Sequence, residues 1–148
     1  MSIRARHSTV DRVTGIGLLP GRGEIPRAVA ESSPRRVLVS DREPLTRWSL
    51  AETLTEAGHL VVVAGDRMAI LNAVTADPPF DVIVLDGDLP GSADFSLLSG
   101  LRLLSPSARI VFMTAFGTPA VHRRALDLGA CHVIEKPFDL VDFLALVA

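Results

Sequence analysis

From Arg36 onward, short apolar runs alternate with amphipathic stretches, and that alternation predicts the elements. Val37-Leu38-Val39 reads as a buried strand ending at Asp41. Pro44 suits a first helical turn, where its missing N–H costs nothing. Leu45, Trp48, Leu54 and Ala57 continue a helical stripe to Gly58, a C-terminal cap. Leu60 to Ala64 is a second strand. Asp66 is placed to cap a helix with the stripe Met68, Leu71, Ala73 and Val74, stopped by Asp77-Pro78-Pro79. Val82 to Leu85 forms the third strand and runs into Asp86. A third helix spans Asp94 to Leu104, with Phe95, Leu98, Leu101 and Leu104 inward. Arg109 to Thr114 is strand four, Thr118 to Leu128 helix four closed by Gly129, and Cys131 to Ile134 strand five. Phe138 to Ala148 closes the chain as a short helix.

Strands with near-continuous apolar residues, separated by helices, imply a parallel sheet covered on both faces. Five such units over residues 36–148 make a doubly wound α/β domain, for which the flavodoxin-like strand order 2-1-3-4-5 is expected. Residues 1–35 differ: Gly15, Gly17, Pro20, Gly21, Gly23, Pro26 and Pro34 interrupt every period. This stretch is expected to be a flexible arm, with at most a short helix at Pro26–Glu31. Its glycines follow no strand and precede no Lys-Ser/Thr pair, which argues against a phosphate-binding P-loop.

Composition sharpens the division. Residues 1–36 hold seven arginines against Asp11, Glu24 and Glu31, whereas the rest holds eight basic residues against fourteen acidic ones. A basic arm on an acidic domain can contact a partner or a nucleic acid, although a solvated tail is the plainer reading. At 148 residues, 48% hydrophobic and 22% charged, the chain suffices for one globular core. No apolar run is long enough to span a bilayer, and no signal peptide is visible in Met1 to Val10. Cys131 is the lone cysteine, which excludes an intrachain disulfide and a zinc knuckle; a cytoplasmic location is expected.

Function in an open parallel sheet gathers at the carboxyl ends of the strands. Asp41, Asp86, Thr114 and Lys136, the only lysine, fall at four such ends. Asp41 and Asp86 would face each other across neighbouring strands, where two carboxylates repel unless a cation lies between them; Mg²⁺ suits oxygen ligands. A carboxylate beside Mg²⁺ can attack phosphorus to give an aspartyl phosphate. Thr114 could then hydrogen-bond a phosphoryl oxygen and Lys136 pair with its charge, while small Ala115 leaves room. Singly, a strand-end Asp is usually a cap, a strand Thr reflects β-propensity, and a Lys before Pro is surface charge. All four together are a rarer coincidence.

These segments resemble response-regulator receiver domains of two-component signalling. Val37-Leu38-Val39-Ser40-Asp41-Arg42-Glu43-Pro44 is similar to the family's first strand and acidic loop. Asp81-Val82-Ile83-Val84-Leu85-Asp86-Gly87-Asp88-Leu89-Pro90-Gly91 is similar to its phosphoacceptor segment. Phe112-Met113-Thr114-Ala115 matches the switch-hydroxyl segment, and Gly129-Ala130 with Glu135-Lys136-Pro137-Phe138 the lysine segment. The text around Trp48 and Met113-Thr114-Ala115 looks most like NtrC-type receivers. The resemblance implies a non-enzymatic signalling module with Asp86 as phosphoacceptor and Thr114 and Lys136 assisting. It implies Mg²⁺ at Asp41 and Asp86, with Asp88 contributing through main chain or side chain. The implied partners are a sensor histidine kinase or phosphotransfer protein and a downstream protein. Direct nucleic-acid or membrane binding by the receiver is not expected, and a homodimer is left open.

Three positions depart from the family. Arg42 replaces the second acid after strand one, a two-unit change in charge. At about 5 Å and an effective dielectric near 20, each unit is worth roughly 3 kcal/mol before screening. Mg²⁺ binding is therefore expected to be weak or absent, unless Arg42 swings into water. Asp88 stands where the family often has a neutral residue; its carboxylate could restore the lost charge or merely cap the Pro90-Gly91 turn. Val133 replaces the aromatic switch residue.

Two rival readings remain. A pseudo-receiver, independent of phosphorylation, would have Arg42 neutralise Asp86 directly. Asp86-Gly87-Asp88 also resembles the nucleophile motif of haloacid-dehalogenase-type phosphatases. Those require a further acidic pair beyond the lysine, and only Asp139 and Asp142 follow it here. With no output segment after the receiver, the expectation is a stand-alone regulator or a fragment of a longer one.

Overall fold

The computed structural model describes residues 33–76, 78–89 and 95–148. Strands β1 (Arg36–Ser40), β2 (Leu60–Ala64), β3 (Val82–Asp86), β4 (Arg109–Thr114) and β5 (His132–Glu135) alternate with helices α1 (Pro44–Glu56), α2 (Arg67–Val74), α3 (Ser96–Leu104), α4 (Pro119–Asp127) and α5 (Leu140–Val147). All strand pairs are parallel, in the order β2-β1-β3-β4-β5. This is the flavodoxin-like topology the sequence predicts.

The period of two along each strand divides the core between the faces. Leu38, Ile83, Leu85, Ile110 and Phe112 point one way, onto Ile70 of α2, Leu97, Leu98 and Leu101 of α3, and Ala125 of α4. Val37, Val39, Val82, Val84, Val111 and Met113 point the other way, onto Leu50 and Leu54 of α1 and Leu140, Phe143, Leu144 and Val147 of α5. The central strands are therefore buried on both faces. β2 is not: it lies at the sheet edge, leaving Leu60 and Val63 exposed, so the two-sided cover expected of every strand fails there.

The caps follow the sequence closely. Pro44 opens α1, and Asp66 opens α2 by accepting the Ala69 N–H at 2.8 Å. Thr118 accepts the Val121 N–H ahead of α4, and Asp139 accepts the Val141 N–H ahead of α5. Gly58 and Gly129 have φ of +99° and +117°, the left-handed exit that favours glycine after a helix.

Several inward positions need correction. In α1, Leu45 and Trp48 are 74% and 59% exposed, while Ser49, Leu50 and Leu54 are buried. Leu45 lies nine residues before Leu54, about two and a half turns, and so faces the opposite side. Met68 is likewise exposed and Ile70 is the buried residue of α2. α3 starts at Ser96; Asp94 lies outside the described residues. Phe95 adopts a left-handed φ of 63°, and its ring stacks on Phe112 with centroids 5.6 Å apart. In α3 Leu97 joins Leu98 and Leu101 inside, and Leu104 is exposed at the helix end. β5 begins one residue after exposed Cys131.

Residues 1–32, with the proposed helix at Pro26–Glu31, lie outside the described residues. Arg35, placed in the arm by sequence, is tied to the domain. Its backbone N–H donates to His59 Nδ1 at 3.0 Å, and its guanidinium donates to the Ala148 carbonyl. No helix among the described residues is long and apolar enough to cross a membrane.

Candidate functional site

Because β1 and β3 are adjacent and parallel, Asp41 and Asp86 emerge side by side at the carboxyl edge. Ser40 pins the two strand ends together: its hydroxyl donates to the Val84 carbonyl at 2.9 Å and accepts the Asp86 N–H at 3.0 Å. Both aspartates are fully buried. Backbone donors hold them in place. Arg42 N–H reaches Asp86 Oδ2 at 3.1 Å, Asp88 N–H reaches Asp86 Oδ1 at 2.9 Å, and Glu43 N–H reaches Asp41 Oδ1 at 2.9 Å. Gly87 is required by packing, since a Cβ there would collide with the Phe112 ring.

β5 brings in the opposing charge. The Lys136 N–H donates to the Thr114 carbonyl, fixing the chain just past the strand, ahead of a cis peptide to Pro137. Its ammonium lies 3.0 Å from Asp41 Oδ2, 3.2 Å from Asp86 Oδ1 and 3.8 Å from Asp88 Oδ2. Burial pulls this ammonium down, but its close contact with Asp41 and the charges of Asp86 and Asp41 outweigh it. The net effect raises Lys136 above the ordinary lysine value.

Asp88 was read from sequence as a metal contact or a turn cap. Its carboxylate crosses to the end of β4, accepting the Thr114 hydroxyl at 3.3 Å and the Ala115 N–H at 2.9 Å, while Pro90 and Gly91, the turn it was expected to cap, lie outside the described residues. The only sequence signal for this was an acid two residues after Asp86. Thr114 Oγ1 in turn accepts the Phe116 N–H. Beside Asp88 lies a cavity of about 320 Å³ bordered by Arg42, Gly87, Thr114 and Phe116.

The structure thus gathers Asp41, Asp86, Asp88, Thr114 and Lys136 in one crevice and leaves Arg42 at its rim. The Arg42 side chain is exposed; among the described residues its guanidinium forms no ion pair, and it meets Asp86 only through its backbone N–H. This corrects the direct Arg42–Asp86 ion pair on which the pseudo-receiver reading rested: Lys136 is the cation beside Asp86. Val133 is partly buried, in register with Phe112 and packed against the core, leaving no aromatic ring to rotate at that position. Asp139 caps α5 and Asp142 lies in its first turn, so neither supplies the strand-end acid a haloacid-dehalogenase-type site requires.

A doubly wound sheet with buried carboxylates, a hydroxyl and a lysine converging on its carboxyl edge defines a flavodoxin-like domain built around an acidic crevice. The family model described as "Response regulator receiver domain" matches residues 37–148, and the chain belongs to that family. Among curated relatives, the transcriptional regulatory protein TcrA of Mycobacterium tuberculosis is 35% identical over 125 residues, covering 84% of this chain and 49% of that protein. The chain thus spans about half the length of TcrA and of the transcriptional activator IrlR of Burkholderia pseudomallei, which it also matches. A solved response regulator from Burkholderia pseudomallei, described with a phosphorylated aspartic acid, calcium ion and citrate, aligns at a TM-score of 0.71 and 28% identity, covering 77% of this chain and 66% of that one. NtrX from Brucella abortus aligns at 0.68 and 31% identity, covering 78% and 26%, which partly supports the NtrC-type likeness.

Proposed function

We propose that this receiver accepts a phosphoryl group on Asp86 from a histidine kinase or phosphotransfer protein and thereby switches binding to a downstream protein in the cytoplasm. The observation that carries the reading is the convergence of Asp86 and Asp41 on one lysine ammonium at the carboxyl edge of adjacent strands. In the transfer, a carboxylate oxygen of Asp86 forms a bond to phosphorus as the donor's N–P bond breaks. The imidazole leaves neutral when its other nitrogen carries the proton. Lys136 stands ready to balance the charge arriving on the phosphoryl oxygens, and Thr114 to donate a hydrogen bond to one of them.

A divalent cation fits the donor chemistry. Asp41 Oδ2 is buried and accepts no hydrogen bond of good geometry, although Lys136 Nζ lies 3.0 Å away as an ion pair. Asp41 and Asp86 would hold the ion, the oxygen ligands a hard cation prefers. Its chemistry would be neutralisation of charge on the attacking carboxylate and the phosphoryl group. Among the described residues no group of three or more potential ligands is assembled for a metal. Arg42 turns its charge to solvent, so the missing acid at that position, rather than repulsion by the guanidinium, is what would weaken cation binding and slow phosphorylation. The relatives' names, among them a transcriptional activator, suggest that such a domain controls an attached or separate output protein.

The test is exposure of purified protein to acetyl phosphate across a Mg²⁺ series, followed by intact mass. The expected product is one phosphoryl group, slow to appear, dependent on raised Mg²⁺, cleaved by hydroxylamine and absent in Asp86→Asn. A hydroxylamine-resistant product, or one that survives Asp86→Asn, would place the modification elsewhere and overturn the reading.

A further inference from the structure

We infer that the Asp88 carboxylate is an internal stand-in for the phosphoryl group, occupying the donors that would receive it and so restraining phosphorylation of Asp86. The inference rests on Asp86 being the acceptor. Three donors ring the place where a phosphoryl group on Asp86 would lie: the Thr114 hydroxyl, the Ala115 N–H and the Lys136 ammonium. All three already face one anion. Asp88 Oδ1 takes the Thr114 hydroxyl at 3.3 Å, and Oδ2 takes the Ala115 N–H at 2.9 Å and lies 3.8 Å from Lys136 Nζ.

The carboxylate is held rather than waving in solvent. Its side chain is 10% exposed, and its own backbone N–H is fastened to Asp86 Oδ1 at 2.9 Å. Gly87, against the Phe112 ring, fixes the intervening residue, so Asp88 leans from β3 across to β4. Asp88 bonds to groups on the neighbouring strand's end, twenty-six and twenty-seven residues on, an anchorage outside its own loop.

Two consequences follow. Asp86 is fully buried, so a phosphodonor reaches it only when a neighbouring group moves. An arriving dianionic phosphoryl group also cannot share the Thr114 and Ala115 donors with a carboxylate, because like charges at such range repel. Phosphorylation is then an exchange of one anion for another. Asp88 must swing outward, toward the cavity it borders, as Thr114, Ala115 and Lys136 turn to the phosphoryl oxygens.

The experiment compares wild type, Asp88→Ala and Asp88→Asn, each with acetyl phosphate at saturating Mg²⁺, reading the rate of mass gain and amide hydrogen exchange at Ala115. Removing an anion that holds a backbone N–H and a hydroxyl should speed phosphorylation of Asp88→Ala by about tenfold. Asp88→Asn, which keeps an acceptor oxygen but no charge, should fall between. Before phosphorylation Ala115 should exchange faster in Asp88→Ala than in wild type, and phosphorylation should restore its protection. Equal or slower phosphorylation of Asp88→Ala, with the phosphate still on Asp86, would overturn the stand-in while leaving the acceptor assignment intact. Unchanged Ala115 exchange in the unphosphorylated variant would overturn it too. Absence of phosphate from all three proteins would sink the acceptor reading and this inference with it.

Discussion

The two ends of the sheet handle charge in opposite ways. At the amino end, charged groups are met by neutral backbone groups. Asp81 Oδ2 accepts the Arg36 N–H at 2.8 Å, and the Arg36 side chain bonds the Pro78 carbonyl and lies over the Phe80 ring. Arg35 donates to the Ala148 carbonyl, and Arg109 to the carbonyls of Leu146 and Val147, securing the last turn of α5. These groups are exposed or half-buried, where charges are cheaply held. At the carboxyl end, Asp41, Asp86 and Asp88 share one ammonium, and two of the three acids are fully buried. Charges held by backbone groups near the surface are what stability alone requires. Three acids on one cation are an arrangement that stability alone would not favour, and such an excess supports the chemistry proposed for that end of the sheet.

The largest test of that contrast removes the shared cation. Lys136→Ala leaves buried carboxylates uncompensated and is expected to cost about 3 kcal/mol at neutral pH. Urea denaturation would measure it. A loss no greater than that of an exposed lysine would erase the distinction between the two ends.

Next in size is Gly87→Ala, which forces a methyl group into the Phe112 ring and is expected to cost roughly 1–3 kcal/mol by overpacking. Adding Phe112→Leu should recover part of it. Additive losses in the double variant would show that Gly87 is needed for some reason other than that ring.

The smallest effect is in the pH profile, and it has opposite signs at the two ends. Burial first, then the charge of Arg35, holds His59 below its ordinary value of 6.5, and its buried Nε2 has no hydrogen-bond partner among the described residues. The neutral ring accepts the Arg35 N–H. Its contribution is therefore present above pH 6.5 and is lost as pH falls toward the depressed folded value. Lys136, raised above 10.5, contributes fully below that pH and loses its contribution only as pH rises through the higher folded value. Thermal melts should show the acid limb reduced in His59→Gln and the alkaline limb unchanged. An acid limb identical to wild type would remove His59 from the account.

Much of this was legible in sequence because it depends on local order. The apolar runs at Val37–Val39 and Val82–Leu85, the caps at Asp66 and Gly58, and Pro44 at the start of α1 specify where elements begin and end. Parallel strands joined by helices leave few topologies, so the places of Asp41, Asp86, Thr114 and Lys136 at strand ends followed as well. Face assignments were less secure: Leu45 and Trp48 are as apolar as Leu50, and only packing of α1 against α5 and the sheet decided which side turned inward.

Side-chain direction over the crevice was beyond the sequence altogether. Arg42 and Asp88 each flank a strand-end acid, and on charge alone the arginine would have turned toward Asp86 and the aspartate away from it. The fold sends the arginine to solvent and the aspartate across to Thr114 and Ala115. The physical reason is that a backbone N–H and a hydroxyl from β4 are in reach only once β3 and β4 pair, with Asp86 beside Met113. Sequence determined which groups reach the carboxyl edge; the pairing of distant strands determined which of them touch.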